Sequence, residues 1–365
     1  MAVVQVTTQA QVKRFIDLEA AVYRNNPYWV PAIAKDTSRL ITGRTPFSSY
    51  IEQNAFYAEH EGEVTARVCM FINRLFIKNR KRNTAFFGLF EALPDKQIDV
   101  VELFRAAVSW LKEKGVSSLT GPVNGDLFFG FGLKSDRFDE LPVFPYSYAQ
   151  PYYAAYLESM GFNKQHRELC YSIDLESIPE AHLLSRYEIP GVDIRPVSLT
   201  DFQRDHAAII GIGNAAFKNI WYFAGYDVDT SYEFWMEKKP FIVPDFVLIA
   251  EAGGRPIGYI ISFLDLNAAV QAMGGRNDLF AALKFLWTRR GIRDGSVFSM
   301  GVLPAYAGKG VGSALLAAIL LTMKKRGFTK CYYHTVTDNN IPSRKLAESF
   351  NGSVTANYAG YYKKV

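Results

Sequence analysis

The sequence predicts an α/β protein made of two copies of one fold, each a mixed sheet flanked by helices. Three observations carry that expectation. A chain of 365 residues has the length of two domains. The order of strand-like and helix-like segments in the first half recurs in the second, although the residues themselves do not match. Between the halves lies ESIPEAHLLSRYEIPGV, residues 176–192, with a proline toward each end. The predicted domains are 1–178 and 190–365.

In the first half VVQVTT alternates as a strand does, and QAQVKRFIDLEAAVY has helical spacing. AFYAEHEGEVTARVCMFI is a hairpin pattern turning at Gly62. TAFFGLFEA is a buried strand, and IDVVELFRAAVSWLKEKG is an amphipathic helix stopped by Gly115. The basic run KNRKR, 78–82, reads as a solvated turn between strands. SSLTGPVN is a strand entering a turn. After a long aromatic loop, PYYAAYLESMGF begins a short helix at a proline, and RELCYSIDL closes the half with a strand.

The second half repeats the order. VDIRPVSL is a strand, and LTDFQRDHAAIIGIGNAAF is a helix with Thr200 or Asp201 as its cap. FVLIAEAGGRPIGYIISFL is a hairpin turning at Gly253 and Gly254. An insertion over 265–293 carries one helix, DLFAALKFLWTRR. The strand VFSMGVL follows, then a glycine-rich turn, a helix over 313–326, the strand CYYHTVT, the helix IPSRKLAESF, and the strands SVTANY and YYKKV.

Composition bounds the function. With 49% hydrophobic and 21% charged residues, and with 27 Phe and 21 Tyr, the chain has ample material for two cores and an apolar cleft. A net charge of +5 suits an anionic ligand, but no basic block is dense enough to imply a nucleic-acid partner. Cys69, Cys170 and Cys331 are far apart and sit in apolar or aromatic runs, so they read as buried thiols and not as a disulfide or metal framework. The other histidines, His60, His166, His182 and His206, show no metal spacing. No cationic leader precedes an apolar stretch, and no apolar run reaches 18 residues. A cytoplasmic protein with no membrane partner is the expectation.

The most informative stretch is FSMGVLPAYAGKGVGSALLAAILLTMKKRGF, residues 298–328. A strand stops at Pro304, glycines stand at 308, 310 and 312, and a helix follows. A Walker loop is excluded, because Leu303 stands five residues before Gly308 and Gly310 follows Lys309. A dinucleotide fingerprint is excluded by Ser313 at its third glycine. A helix start leaves about four amide N–H groups without partners and carries roughly half a positive charge. Glycines let such a turn approach a bulky anion and take positive φ. Residues 308–313 therefore suit a diphosphate held by backbone donors.

These residues resemble the GCN5-related N-acetyltransferase (GNAT) superfamily, whose signature [QR]-x-x-G-x-[GA] follows a strand ending V-x-P. Here VLPAYAGKGVG matches it, with Ala307 in place of Gln or Arg, Gly310 as the core glycine and Gly312 as the last. The resemblance implies a mixed-sheet fold and acetyl-coenzyme A, or another acyl-coenzyme A, as cosubstrate, with no metal. It places the diphosphate on Ala307, Gly308, Lys309, Gly310, Val311, Gly312 and Ser313, and the pantetheine arm beside Met300, Gly301 and Val302. NIPSRKLAESFNG resembles the second family motif, with Asn340 as the pantetheine-bonding asparagine and Ser343 in place of alanine. The family's usual general-acid tyrosine falls at Ala347. The resemblance is specific over 295–362 and weaker over 190–264. NPYWVPA, FFGLFEA, GPVN and YYAAYLESMGF extend it to a group of two-domain bacterial acetyltransferase-like proteins.

In the first half, LPDKQID joins the matching strand and helix, with no glycine between Gly88 and Gly115. Glu91, Asp95 and Asp99 stand where a diphosphate would bind, so this half is read as a degenerate copy without a coenzyme A loop. The aromatic loop GPVNGDLFFGFGLKSDRFDELPVFPYSYAQPYY reads either as an acceptor-cleft wall or as a plug sealing a domain interface.

Acyl transfer needs a neutral amine, a stabilised oxyanion and a protonated thiolate. His334 and Asp338 are candidate bases. Tyr358 and Tyr362, with Tyr361 beside them, are candidate donors to the thiolate. Arg289, Arg290 and Arg293 either reach the coenzyme 3′-phosphate or form a solvated helix end. The expected function is N-acyl transfer, with acetyl as the expected group, from coenzyme A to an amine of a small molecule or peptide, by a monomer or homodimer. The alternatives are a carrier-protein thioester or aminoacyl-tRNA donor, or a coenzyme A-binding module without turnover.

Overall fold

The computed structural model describes residues 1–220 and 222–365. In chain order the elements are β1 (Ala2–Gln5), α1 (Gln9–Val22), α2 (Ala34–Ile41), β2 (Ile51–His60), β3 (Glu63–Asn73), α3 (Arg74–Arg80), β4 (Thr84–Ala92), α4 (Gln97–Glu113), β5 (Ser118–Gly121), β6 (Leu133–Lys134), α5 (Tyr153–Ser159) and β7 (Asn163–Asp174). There follow α6 (Glu180–Tyr187), β8 (Asp193–Pro196), α7 (Phe202–Ala216), α8 (Val228–Lys238), β9 (Val247–Ala252), β10 (Arg255–Leu264), α9 (Asn267–Met273), α10 (Leu279–Arg289), β11 (Asp294–Val302), α11 (Val311–Lys325), β12 (Lys330–Thr337), α12 (Ile341–Glu348) and β13 (Ser353–Lys364).

The chain forms two compact units. The first takes residues 1–168, 267–290 and 356–365, and the second takes 169–266 and 291–355. Sequence reading drew two unbroken domains, whereas here the first unit also takes most of the insertion and the last strand. The insertion holds two helices, α9 and α10, where one was expected. The stretch 176–192 contains α6, and a further helix, α8, was not foreseen. SVTANY and YYKKV form one strand, β13. KNRKR is the end of α3 followed by Lys81 at φ 51°.

In the first unit the strands run in the order β1-β2-β3-β4-β5-β13, with β6 also on β13. The β2–β3 hairpin turns through Glu61 and Gly62, both at positive φ. β4 and β5 are parallel and pair from Thr84↔Ser118 to Phe86↔Thr120. One core holds Phe56, Val68, Phe87, Leu103, Phe104 and Leu119.

In the second unit the order is β7-β12-β11-β10-β9-β8. A buried helix, α11, fills the middle of its core, with Leu315, Leu316 and Leu320 fully covered. Burial of each such leucine contributes about 2 kcal/mol relative to exposure. An added Cβ on Gly258 of β10 would lie 3.1 Å from Leu315 Cδ1 and from Val311 Cγ1. That glycine lets the start of α11 press onto the sheet. Lys324, in the last turn of α11, donates from Nζ to the carbonyls of Leu175 and Ile178 at 2.6 Å each. The three cysteines are buried.

Candidate functional site

The second unit opens its sheet at one place. β11 and β12 pair in parallel from Asp294↔Lys330 to Val297↔Tyr333 and no further. On its other side β11 stays on β10 through Ser299↔Ile261 to Val302↔Gly258. The register shifts between Ile261 and Ser262, which makes Phe298 the extra residue of a bulge. A bulge bends its strand, and this one lies where β12 departs. In antiparallel pairing alternate residues turn their N–H groups away from the partner. Part of the segment Ser299–Val302 therefore presents amides toward the side that β12 has left.

The turn after β11 is where the sequence reading expected a cradle. Gly308 has φ 75° and Gly310, the N-cap of α11, has φ 83°. An L side chain at either position would be strained. α11 begins at Val311, so Val311, Gly312 and Ser313 form its first turn, two residues earlier than the sequence placed it. Among the described residues no acceptor is assigned to the amides of Gly308, Gly310, Val311, Gly312 or Ser313. Gly308, Lys309 and Gly310 are exposed, as is Ala307. The Lys309 ammonium stands 5.3 Å from the centre of the Tyr306 ring. Exposed donors, a helix start and one adjacent cation suit a diphosphate.

The neighbours of Gly312 are apolar. An added Cβ on Gly312 would lie 3.7 Å from Met300 Cε, 3.8 Å from Leu346 Cδ2 and 3.9 Å from Val302 Cγ2. These are ordinary contacts, and Gly312 has no positive φ, so the fold itself would accept alanine there. Gly301 is held to glycine differently, because a Cβ would lie 2.8 Å from Tyr259 Cε1. Asn340 caps α12, its Oδ1 accepting from the Ser343 amide at 3.3 Å. Ser343 Oγ also lies 2.7 Å from the Tyr333 hydroxyl. Tyr333 sits at the last paired position of β12, and burial pushes its phenol up to about 12. Sequence reasoning missed this hydroxyl pair. The spacing gave no sign of it, since the two residues belong to a strand and a helix that only the fold brings together.

His334 follows Tyr333 and is buried. Its Nε2 lies 2.7 Å from Ser296 Oγ and its Nδ1 lies 2.9 Å from Thr335 Oγ1. Burial pushes the imidazole down to about 3, so it is neutral and weakly basic. Thr335 has φ 64°, unusual for a β-branched residue, at the point where β12 turns from β11. Asp338, half-buried, stands just past the end of β12, and its carbonyl accepts from Arg344 Nη1 at 3.0 Å.

Tyr358, Tyr361 and Tyr362 lie in the first unit. Tyr358 is fully buried and stacks on Tyr146 at 3.8 Å between ring centres. Tyr361 and Tyr362 pair in register with Gly121 and Thr120. Structure therefore groups His334, Asp338, Asn340, Ser343 and the glycine turn in one unit and assigns the C-terminal tyrosines to the other.

The matching place in the first unit is closed. Beyond the last β4–β5 pair, Val123 N donates to the Phe87 carbonyl at 2.7 Å and Leu89 N donates to Asn124 Oδ1 at 2.9 Å. The GPVN segment thus fills the gap beside β4. The link from β4 to α4 is stitched by α5 and the residue before it. Tyr152 donates to the Ala92 carbonyl at 2.8 Å, Tyr153 donates to Glu91 Oε2 at 2.6 Å, and Tyr156 Oη accepts from Lys96 N at 3.2 Å. Asp99, in the first turn of α4, is buried and accepts from Thr65 Oγ1 at 2.7 Å. Glu91 also accepts from Tyr23 at 2.7 Å, with Arg67 at 3.9 Å, and burial pushes its carboxyl up to about 7.

Comparison with known proteins agrees with this geometry. Residues 212–352 match the family described as "Acetyltransferase (GNAT) family". The chain is 24% identical over 366 residues to "Protein YghO" of Escherichia coli K12, covering 97% of this chain and 93% of that protein. It is 25% identical over 374 residues to "Bacterial ceramide synthase" of Caulobacter vibrioides, covering 100% of this chain and 97% of that one. Among solved structures, a "Tandem GNAT protein from the clavulanic acid biosynthesis pathway" superposes with a TM-score of 0.59 at 13% identity, covering 100% of this chain and 98% of that chain. The chain thus carries a GNAT-family match over residues 212–352 and shares the tandem fold of that solved structure.

Proposed function

We propose that the second unit transfers an acyl group from coenzyme A to an amine. The observation that carries this reading is the glycine turn of exposed amides at the end of a strand that has parted from its parallel neighbour. Ala307, Gly308, Lys309, Gly310, Val311, Gly312 and Ser313 would hold the diphosphate, and Met300, Val302, Ser343 and Leu346 the pantetheine arm. Bound there, coenzyme A supplies an activated thioester. Amides of Ser299–Val302 that point away from β10 would donate to the oxyanion as the amine attacks. Asp338 removes a proton from that amine, and Tyr333, protonated at neutral pH and bonded to Ser343, returns one to the thiolate. His334, neutral beside Ser296, orients the strand and acts as a positioning residue. The sequence had offered Tyr358 and Tyr362 for the thiolate, but neither belongs to this unit.

The relative named as a bacterial ceramide synthase bears on the acceptor. A ceramide is an amide of a fatty acid with a long-chain amino alcohol, which is an N-acyl product. Long-chain amino alcohols and long-chain acyl thioesters therefore belong in the panel beside acetyl-coenzyme A and polar amines. The test is thiol release from acyl-coenzyme A with each amine, with a carrier-protein thioester as a parallel donor. Turnover with coenzyme A that Asp338→Asn lowers about a hundredfold, at unchanged donor affinity, supports the reading. Turnover only with the carrier protein, or binding without turnover for any amine, refutes it.

A further inference from the structure

α10 carries an apolar face that the first unit does not cover. Leu279, Phe280 and Trp287 are 73%, 72% and 77% exposed, and Leu283 and Leu286 are about half exposed. At 100° per residue these five side chains share one arc of the helix. Other exposed large apolar residues, such as Ile98, Leu184, Phe241 and Ile341, lie singly on separate elements, which is ordinary. The helix is not a loose end. Asp278 caps it, accepting from the Ala281 amide at 3.0 Å, and α9 packs against it within the same unit. α9 in turn is pinned to that unit. Asn267 donates to the Pro142 and Tyr146 carbonyls at 2.6 and 3.3 Å, and Gln271 donates to the Pro27 and Trp29 carbonyls at 2.8 Å each. The fold holds α9 fast and presents the outer face of α10 to solvent.

Charge decides what that face fits. Residues 276–290 contain Arg276, Lys284, Arg289 and Arg290 against one acid, Asp278, which pairs with Arg276. Among the described residues no helix is long and apolar enough to cross a membrane. A short helix with Leu, Phe and Trp on one side and cations beside it has the composition of one that lies in a bilayer interface. The face ends in arginines, which anionic headgroups would pair and a second copy of the same basic helix would not. We propose that α10 docks the protein on an anionic lipid surface, its apolar arc entering the headgroup–acyl boundary and Lys284, Arg289 and Arg290 meeting lipid phosphates. The expectation of no membrane partner rested on the absence of a span, and this proposal departs from it.

The test is cosedimentation of the full chain with vesicles of phosphatidylcholine alone, or of phosphatidylcholine and phosphatidylglycerol in equal parts. The wild type should pellet with the anionic vesicles and stay in solution with the neutral ones. Leu283→Glu with Trp287→Glu should lower partitioning at least about tenfold. Arg289→Gln and Arg290→Gln should each lower it about fivefold and weaken its salt dependence. All four positions are at the surface, and circular dichroism checks that the variants fold. Two results overturn the proposal: wild type that binds neither vesicle, or a concentration-dependent dimer in sedimentation velocity that Leu283→Glu with Trp287→Glu abolishes without vesicle binding. Vesicle binding is read without acyl transfer, so failure of one reading leaves the other standing.

Discussion

Two strand-to-helix turns occupy corresponding places in the two units. Both β4 and β11 pair in parallel with the next strand for a few residues and then part from it. After β11 the turn carries Gly308 and Gly310 at positive φ and leaves its amides to solvent. After β4 the turn has Asp95 at φ 58°, Tyr156 takes the Lys96 amide, and Asp99 sits buried in the first helical turn. The two places share a backbone plan and differ in who satisfies it. In the first unit tyrosine hydroxyls take such amides, Tyr156 that of Lys96 and Tyr153 that of Ala92, and the second unit keeps its donors available. Degeneration of the first copy is thus an added set of protein contacts as well as a loss of glycines.

The largest effect that would break this comparison is on donor binding. Titration calorimetry with acetyl-coenzyme A should find one site per chain. Gly310→Val forces a β-branched residue into φ 83° beside Ile189, whose Cδ1 would be 3.3 Å from the new Cβ. Affinity should fall about a hundredfold, given about 1–3 kcal/mol for such strain. Asp95→Gly in the first unit should leave affinity unchanged. Two equivalents bound, or full affinity in Gly310→Val, would remove the contrast between the turns.

Gly312→Ala sharpens it. The new methyl meets protein atoms only at 3.7 Å or more and needs no unusual φ. Thermal stability should hold, while donor affinity falls about tenfold because the methyl enters the ligand's space. A parallel loss of melting temperature would make Gly312 a packing glycine.

The contrast also has a pH signature, smaller and confined to the first unit. Glu91 is held up to about 7 against an ordinary 4.5. The unfolded chain releases that proton near 4.5 while the folded chain keeps it to about 7, so stability from this group falls as pH rises across that window. Glu91→Gln does not titrate. Its melting temperature relative to wild type should rise by a few degrees between pH 5 and pH 8. An unchanged difference would mean that Glu91 is already ionised at pH 5.

These turns show what the sequence could and could not tell. The glycine turn was legible because positive φ at 308 and 310 favours glycine, a local signal. The hairpin turns at Gly62 and at Gly253 and Gly254 were legible for the same reason. The placement of 356–365 in the first unit was not, because a strand's alternation says which face is buried and not which strand it joins. The Tyr333–Ser343 pair was hidden likewise, and so was the burial of His334, since CYYHTVT alternates equally well with either face inward. α8 went unseen because VDTSYEFWMEK mixes polar and aromatic residues without a clean stripe. The uncovered face of α10 was readable as apolar residues, but only the fold shows that nothing in the first unit packs on it.

The smallest expected effect concerns His334 and tests whether a buried histidine at the parting of two strands is a base. Its imidazole is held down to about 3 by burial against an ordinary 6.5. Above pH 5 it stays neutral, so kcat/KM should show no limb near 6.5 from this group. The sign for stability is opposite to that of Glu91. The unfolded chain takes up a proton near 6.5 and the folded chain does not until about 3, so the contribution is full above 6.5 and is lost as pH falls toward 3. His334→Gln keeps a hydrogen-bonding group for Ser296 and should lower kcat less than about tenfold, against the hundredfold or more expected of a general base. It should also flatten the loss of stability between pH 6 and pH 4. A limb near 6.5 that disappears in His334→Gln, together with a hundredfold loss of kcat, would restore His334 as the base and displace Asp338 from that role.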